Sequence, residues 1–301
     1  MSQNADYHMP PLAGLALVQE RYDAILCDIW GVLHNGVISF PAAAEALVNL
    51  RKLGKSVALI TNAPRPREEV ATQLASLGVP REAYDAILTS GDVCAELVAE
   101  RLPERPYHIG PARDLPLFDS AAALAGVPAH LAPLEKADFV VCTGLVDDAT
   151  ETPADYEAVL QKMREKNLSM ICANPDLVVY RGDELIYCAG ALAERYEALG
   201  GTVAQAGKPF APIYRMALGR AEQALRRPLD LDKVLAIGDA MHTDIAGANA
   251  MGLDCVLITQ GIHRADLHGP GEPSELDAEA FAQFLDEHGA KPLYRMDRLV
   301  W

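Results

Sequence analysis

Four short polar segments, spread over more than 200 residues, each follow an apolar run that predicts a buried strand. The predicted strands are residues 24–27, 56–60, 202–205 and 234–237. The polar residues that follow them are Asp28, Thr61 with Asn62, Lys208, and Asp239 with Asp244. Because ligands of an open parallel α/β sheet bind at the carboxyl ends of its strands, these side chains are expected to converge. Three carboxylates, a hydroxyl and an ammonium suit a site where a divalent cation and a phosphoryl group meet an attacking carboxylate.

The composition indicates a folded globular protein of two domains. The chain has 301 residues, half of them hydrophobic, whereas single domains usually have about 100 to 200 residues. Its 26 basic and 42 acidic residues give a formal net charge of −16, which argues against nucleic acid or an anionic membrane as partner. A local basic pocket for one phosphate is compatible with that charge.

Neither a targeting segment nor a metal-binding cysteine pattern is expected. Residues 1–7 have no basic or apolar region typical of a signal peptide, and no apolar run approaches the ~20 residues of a membrane span. We therefore expect a cytoplasmic protein. The cysteines, without any Cys-x-x-Cys spacing, are expected to be reduced and buried rather than zinc ligands. They are Cys27, Cys94, Cys142, Cys172, Cys188 and Cys255.

Apolar runs alternate with amphipathic stretches from residue 24 onward, which predicts βαβ units and a doubly wound parallel sheet. Helices are predicted at residues 41–53, 66–77, 91–101, 153–166, 189–199 and 277–288, and further strands at residues 86–89, 107–109, 139–142, 169–172 and 254–258. The linker-like residues 103–106 precede a second α/β series. We predict a core domain of residues 15–103 and 204–301 with an inserted α/β cap domain of residues 104–203. The apolar tail at residues 292–301 is expected to cover an edge of the protein or of a partner subunit, and a homodimer is left open.

The motifs together resemble the haloacid dehalogenase (HAD) superfamily, and within it the class IIA branch of NagD-like phosphatases. The resemblance covers roughly residues 20 to 265 and is carried by residues 27–36 (CDIWGVLHNG), 60–64 (ITNAP), 173–176 (ANPD), 190–192 (GAL), 207–209 (GKP) and 238–245 (GDAMHTDI). It implies a Rossmann-like core with an inserted α/β cap. It also implies an Mg²⁺-dependent phosphatase that hydrolyses a small phosphorylated metabolite, such as a sugar or nucleotide phosphate, through an aspartyl phosphate.

The resemblance also implies a role for each motif residue. Asp28 is the expected nucleophile, and Thr61 is expected to bind a phosphoryl oxygen through its hydroxyl and a nearby backbone amide. Lys208 is expected to neutralise the charge of the nucleophile and of the incoming phosphoryl group. Asn62, together with Asn174 and Arg181 of the cap, is expected to bind substrate, although Arg181 could equally be a solvated loop charge. The expected Mg²⁺ ligands are Asp28, the carbonyl of Trp30, Asp239 and, directly or through water, Asp244.

Trp30 departs from the family pattern. Most phosphatases of the superfamily have a second Asp at this position, which protonates the leaving alkoxide and then activates water, but an indole cannot transfer a proton. General acid–base help is typically worth about 10² to 10⁴ in rate, so slow turnover of alkyl phosphates is expected. His34 lies in a predicted hairpin with an Asn-Gly turn. It is either a solvent-exposed flap residue or the group that replaces the missing acid.

Two alternatives to a phosphatase stay open at this point. A regulatory protein could retain the phosphate and Mg²⁺ site after losing efficient catalysis at Trp30. A dehalogenase would share the aromatic residue after the nucleophile, but it would need no metal and hence no acidic pair at Asp239 and Asp244. Arg65 is expected at the mouth of the site or as a solvated loop charge, and His242 at the surface.

Overall fold

The computed structural model describes residue 9, residues 11–268, residue 276 and residues 278–301. Residues 1–7, for which no signal peptide was predicted, lie outside the described residues. The chain divides into two compact units. The first consists of Met1–Leu59, Val79–Ala86 and Leu218–Trp301, and the second of Ile60–Gly78 and Ile87–Ala217.

The strands and helices alternate along most of the described chain. The strands are β1 (Ala24–Cys27), β2 (Ser56–Thr61), β3 (Ala86–Thr89), β4 (Pro106–Ile109), β5 (Phe139–Cys142), β6 (Met170–Cys172), β7 (Val178–Arg181), β8 (Glu184–Tyr187), β9 (Val203–Gln205), β10 (Val234–Gly238), β11 (Asp254–Ile258) and β12 (Tyr294–Met296). The helices are α1 (Pro41–Lys52), α2 (Arg67–Ser76), α3 (Ser90–Ala99), α4 (Pro116–Ala125), α5 (Glu157–Glu165), α6 (Ala189–Ala198), α7 (Ala211–Leu225), α8 (Ala246–Ala250), α9 (Arg264–His268) and α10 (Ala278–His288).

The larger sheet has the strand order β12-β11-β10-β1-β2-β3. Strand β1 is buried along its whole length and lies parallel to β2 and β10, with Cys27 opposite Leu59 and Ile237. The residues after β1 and β10 therefore leave the same edge of the sheet. At the far side β12 pairs with β11, with Tyr294 opposite Val256, so the apolar tail covers this edge of the sheet as predicted.

The second unit has its own parallel sheet in the order β4-β5-β6-β9. Leu160 and Met163 of α5 and Tyr196 of α6 are fully buried in its apolar core, together with residues of β5 and β6. The sequence predicted residues 202–205 to join the other motif strands in one sheet, and this is wrong. Strand β9 pairs with β6, with Val203 opposite Met170. A run of three residues that is only half-buried carries no pattern that specifies its sheet.

Most predicted elements are present with ends shifted by a few residues, and β5 and β11 match their predicted bounds. Residues 153–166 begin as a 3₁₀ turn, Pro153–Tyr156, before α5. The antiparallel hairpin of β7 and β8 and helices α4 and α7 were not predicted. The six cysteines are free and buried, as expected. Within the described part of the chain, no helix is long and apolar enough to cross a membrane.

Candidate active site

Three buried carboxylates of the first unit form a compact cluster. One oxygen each of Asp28, Asp239 and Asp244 lies within 4.8 Å of the other two. Asp28 directly follows β1, and Asp239 directly follows the neighbouring strand β10. Asp244 is brought back to the same place by a π-helical turn, Met241–Ile245. Parallel pairing of the two strands thus places the predicted acidic residues together, as the sequence indicated.

Backbone amides fix the orientation of two of these carboxylates. The Ile262 amide donates to Asp239 Oδ2 at 2.7 Å, and the Ala240 amide donates to Asp244 Oδ2 at 3.1 Å. The bond from Ala240 is a local loop contact, so Asp244 also stabilises the turn that follows β10. These hydrogen bonds hold the two carboxylates in fixed orientations.

Glycines surround Asp239 at distances that exclude any side chain. A Cβ at Gly31, which has φ +84°, would lie 2.0 Å from Asp239 Oδ2, and a Cβ at Gly261 would lie 2.1 Å from the same oxygen. Gly238 has a similar relation to Asp244, since its Cβ would lie 2.1 Å from Cγ of that residue. The glycines of these motifs are therefore required by close approach of the backbone to the acidic side chains.

The donor set fits a hard divalent cation. Each of the three aspartates is at most 6% exposed, so three negative charges within one buried cluster would repel strongly without a compensating cation. Carboxylate oxygens are the ligands that Mg²⁺ prefers, usually with carbonyls and water completing the shell. The residues present therefore fit the predicted metal.

Trp30 and His34 lie against each other in the same unit. Their ring centroids are 5.0 Å apart at an interplanar angle of 73°, an edge-to-face contact. The Gly36 amide donates to Nδ1 of His34 at 2.9 Å, so the proton of the neutral imidazole is assigned to Nε2. His34 is only 1% exposed, and an exposed flap is therefore wrong. The segment forms isolated bridges, Trp30 with His34 and His34 with Ser39, instead of an extended hairpin.

In the second unit, Asn62 holds the backbone of Lys208. The Lys208 amide donates to Asn62 Oδ1 at 2.7 Å, and Asn62 Nδ2 donates to the Lys208 carbonyl at 3.2 Å. Asn62 Nδ2 also donates to Asp176 Oδ1 at 2.9 Å. Thr61, Asn62 and Lys208 are all buried. The carboxamide of Asn62 therefore positions two other predicted site segments, and the substrate contact expected of Asn62 stays a prediction.

Gly207 and Ser90 complete this arrangement. Gly207 has φ +110°, and a Cβ there would lie 2.5 Å from Asn62 Oδ1 and 2.7 Å from Ser90 Oγ. The Ser90 hydroxyl donates to the carbonyl of Ala206. Sequence reasoning missed Ser90, which lies at the first position of α3, directly after Thr89. Its only sequence signal is a hydroxyl residue at a predicted strand end.

The predicted cap loop after β6 is shaped by local contacts. Asn174 is buried, and its Oδ1 accepts a hydrogen bond from the Asp176 amide at 3.1 Å. A Cβ at Gly190 would lie 2.3 Å from the Pro175 carbonyl oxygen, so α6 can approach this loop only with glycine there. Asn174 thus fixes the turn that leads Asp176 to Asn62, and its expected contact with substrate stays a prediction.

Arg181 is not a free loop charge, because it forms a two-point ion pair. Its Nη1 and Nη2 donate to the two oxygens of Asp148 at 3.1 and 2.7 Å, and Arg113 Nη2 donates to Asp148 Oδ2 as well. Burial alone would raise the pKa of Asp148, but the hydrogen bonds from these two arginines outweigh it and lower that pKa. Neither Asp148 nor Arg113 was among the predicted site residues.

Comparison with known proteins places the chain among HAD hydrolases. A family model described as haloacid dehalogenase-like hydrolase matches residues 25–139, and a second, described as HAD-hydrolase-like, matches residues 205–282. A crystal structure of a haloacid dehalogenase-like hydrolase from Brucella suis 1330 is 44% identical, with a TM-score of 0.84. The match covers 97% of this chain and 100% of that chain.

Curated relatives are phosphatases by name. The ribonucleotide monophosphatase NagD of Escherichia coli K12 is 24% identical over 246 residues, 80% of this chain and 89% of that protein. The D-glycerol 3-phosphate phosphatase of Mycobacterium tuberculosis is 27% identical over 253 residues, 82% of this chain and 66% of that protein. The chain therefore belongs to the haloacid dehalogenase-like hydrolases, in their NagD-like phosphatase branch.

Proposed function

We propose that this phosphatase depends on Mg²⁺ and hydrolyses a small phosphorylated metabolite through an aspartyl phosphate. The buried cluster of Asp28, Asp239 and Asp244 is the observation that carries the proposal, because it brings together three carboxylate oxygens, the ligands that Mg²⁺ prefers. The names of the relatives suggest nucleotide and polyol phosphates as the first substrates to test, with sugar phosphates beside them. Six free, buried cysteines support action in a reducing compartment, which we take to be the cytoplasm.

In the proposed reaction an Asp28 oxygen attacks phosphorus, the bond from phosphorus to the leaving oxygen breaks, and water later hydrolyses the aspartyl phosphate. Thr61 and Lys208 would bind the phosphoryl oxygens and offset their charge, a role for which the family resemblance and their burial are the support. Mg²⁺, when bound, would neutralise further phosphoryl charge. The residues that would hold it are Asp28, Trp30 through its carbonyl, Asp239 and Asp244.

His34 is proposed as the proton donor and acceptor that Trp30 cannot be. Its ring is in contact with Trp30, and the neutral form seen in the structure has its proton on Nε2 because Nδ1 accepts a hydrogen bond from the Gly36 amide. To act as an acid, the ring would first gain a proton on Nδ1 and give up the bond from Gly36; the imidazolium would then donate its Nε2 proton to the leaving oxygen. The neutral ring left behind, with its proton on Nδ1, would accept a proton at Nε2 from the water that hydrolyses the aspartyl phosphate. The rate with poor leaving groups would then depend on this one side chain.

The metal assignment is tested with Asp239→Asn. The amide oxygen can still accept the bond from Ile262, so the fold is expected to persist, while phosphate release with Mg²⁺ and the rise in melting temperature on adding Mg²⁺ should both disappear. Asp232→Asn is the matched control, because Asp232 is exposed in the same unit. Unchanged phosphate release and unchanged Mg²⁺ stabilisation in Asp239→Asn would refute the assignment.

The proton-transfer role is tested with substrates of graded leaving-group pKa. Without help, aryl phosphates should react well and alkyl phosphates poorly, and His34→Gln should slow alkyl phosphates by about 10² more than aryl ones. The ratio of the rates for an aryl and an alkyl phosphate, measured in one preparation, does not change if part of the variant protein is unfolded. If the ratio stays at the wild-type value in His34→Gln, the proton comes from another group.

A further inference from the structure

The loop after β11 contacts the chain segment that joins two of the clustered aspartates. Strand β11 lies parallel to β10, so the loops that follow these strands leave the same edge of the larger sheet. The Ile262 amide donates to Asp239 Oδ2 at 2.7 Å. The next residue, His263, accepts a hydrogen bond at Nε2 from the Met241 amide at 3.2 Å. Two consecutive residues of this loop thus hold the segment between Asp239 and Asp244 at two points.

The Met241 amide needs an acceptor from outside its own turn. Met241 opens the π-helical turn Met241–Ile245, and the first amides of a helix have no acceptor within it. Because Met241 is fully buried, water does not satisfy this amide, and a buried amide without a partner is unfavourable. The same turn brings Asp244 back to the carboxylate cluster. The hydrogen bond to His263 therefore stabilises the backbone conformation that places Asp244.

A neutral imidazole suits this position better than a carboxylate would. Nε2 of His263 accepts a hydrogen bond, so the proton of the neutral ring is assigned to Nδ1, which donates to Asp266 Oδ2 at 3.4 Å. Burial lowers the pKa of His263, and the hydrogen bond with Asp266 opposes this only in part, so the neutral ring is favoured. A carboxylate could accept the same bond, but it would add a fourth negative charge near three buried ones.

The ring and the loop of His263 are both held in place by neighbouring elements. The ring lies edge-to-face against Phe284 and His288 of α10, with centroid distances of 4.9 and 5.2 Å. At the start of the loop, the Thr259 amide donates to the Met296 carbonyl at 2.9 Å. The accepting nitrogen is therefore fixed before any cation binds, as a residue that positions metal ligands requires.

We propose that His263 is a positioning residue for the divalent cation, because its bond from the Met241 amide holds Asp239 and Asp244 in the arrangement that binds Mg²⁺. This inference rests on the proposed function, since it takes the carboxylate cluster to be the Mg²⁺ site. His263 would not itself bind the cation, because both of its ring nitrogens already make hydrogen bonds. Replacing a residue that orients metal ligands typically costs about 10- to 100-fold in metal affinity.

The test measures Mg²⁺ binding to the whole chain by calorimetry, without any substrate. His263→Phe keeps an aromatic ring against Phe284 but has no acceptor, so the dissociation constant for Mg²⁺ should rise about 10- to 100-fold. His263→Gln supplies a side-chain oxygen as acceptor and should recover most of the affinity. His263→Leu removes the acceptor with a smaller side chain and replaces the first variant if that one does not fold. The rise in melting temperature on adding Mg²⁺ is the second readout.

His288→Phe is the matched control. It makes the same change in a ring that touches His263, but Nδ1 of His288 donates to the Phe284 carbonyl within α10 at 2.8 Å. This variant should keep the wild-type dissociation constant. The inference is overturned if His263→Phe or His263→Leu folds and binds Mg²⁺ as the wild type does, if His288→Phe loses as much affinity as His263→Phe, or if His263→Gln recovers nothing. A wild-type protein that does not bind Mg²⁺ would instead contradict the proposed function itself.

Discussion

Replacing Asn62 by Ala should lower both the free energy of unfolding and the rate of phosphate ester hydrolysis, and the two effects can be measured separately. Asn62 is 2% exposed and makes three hydrogen bonds, at 2.7, 2.9 and 3.2 Å, two of them to the backbone of Lys208. A buried hydrogen bond contributes about 0.5 to 1.5 kcal/mol, so the variant should lose about 2 to 4 kcal/mol of unfolding free energy. Release of the Lys208 backbone should also misplace its ammonium, and a displacement of about 1 Å can cost ~10²-fold in rate.

Urea denaturation measures the first effect and kcat/KM for an aryl phosphate, taken where the variant is fully folded, measures the second. Asn49→Ala is the control, because Asn49 in α1 makes no side-chain hydrogen bond among the described residues and alanine favours a helix. The reasoning is refuted if Asn62→Ala loses less than about 0.5 kcal/mol, a change typical of surface substitutions, and retains the wild-type kcat/KM.

Two further substitutions test close approach and pH dependence. Gly261→Ala should weaken Mg²⁺ binding, measured by calorimetry, because its Cβ would lie 2.1 Å from Asp239 Oδ2, whereas Gly219→Ala has nothing within 4 Å and should not. Burial lowers the pKa of His108 from 6.5 to about 4, so the unfolded chain binds that proton more tightly and stability should fall between pH 6.5 and 4. Urea titrations should show a shallower fall in His108→Gln but not in the exposed control His130→Gln, and equal slopes would contradict this.

The sequence predicted strands and helices well where the order of apolar and polar residues within the segment itself indicated a buried strand or an amphipathic helix. Residues 139–142 and 254–258 form strands with the predicted bounds because each is a short apolar run with clear ends. Strand β9 was assigned to the wrong sheet, since its pairing with Met170 to Cys172 depends on contacts distant in sequence. The hairpin of β7 and β8 was missed because its residues are mostly half-buried or exposed and show no alternation.

The candidate site was predictable to the extent that its residues follow strands. Asp28 and Asp239 lie together because β1 and β10 are neighbours, and that follows from the motif order in a parallel sheet. The burial of His34 was not predictable, because an Asn-Gly turn indicates a tight turn but not what covers it. Nor could the sequence show that Asp148 joins Arg113 to Arg181, since these charges come from three separate loops and strands.

Some motif residues are expected to take part in the reaction, and others hold those residues in position. Both kinds are needed at fixed places in the sequence, which is why the motifs identify the site. Asp28, Asp239 and Lys208 are charged groups buried where charge is costly, which is tolerable only beside compensating groups or a ligand. Gly207 and Asn62 have no part in bond breaking. Gly207, which has no side chain, lets the backbone approach Asn62 closely, and Asn62 accepts a hydrogen bond from the backbone amide of the next residue, Lys208. A motif of reactive residues alone would not fix their positions within the tolerance that catalysis needs. The supporting residues are therefore as diagnostic of the site as the reactive ones.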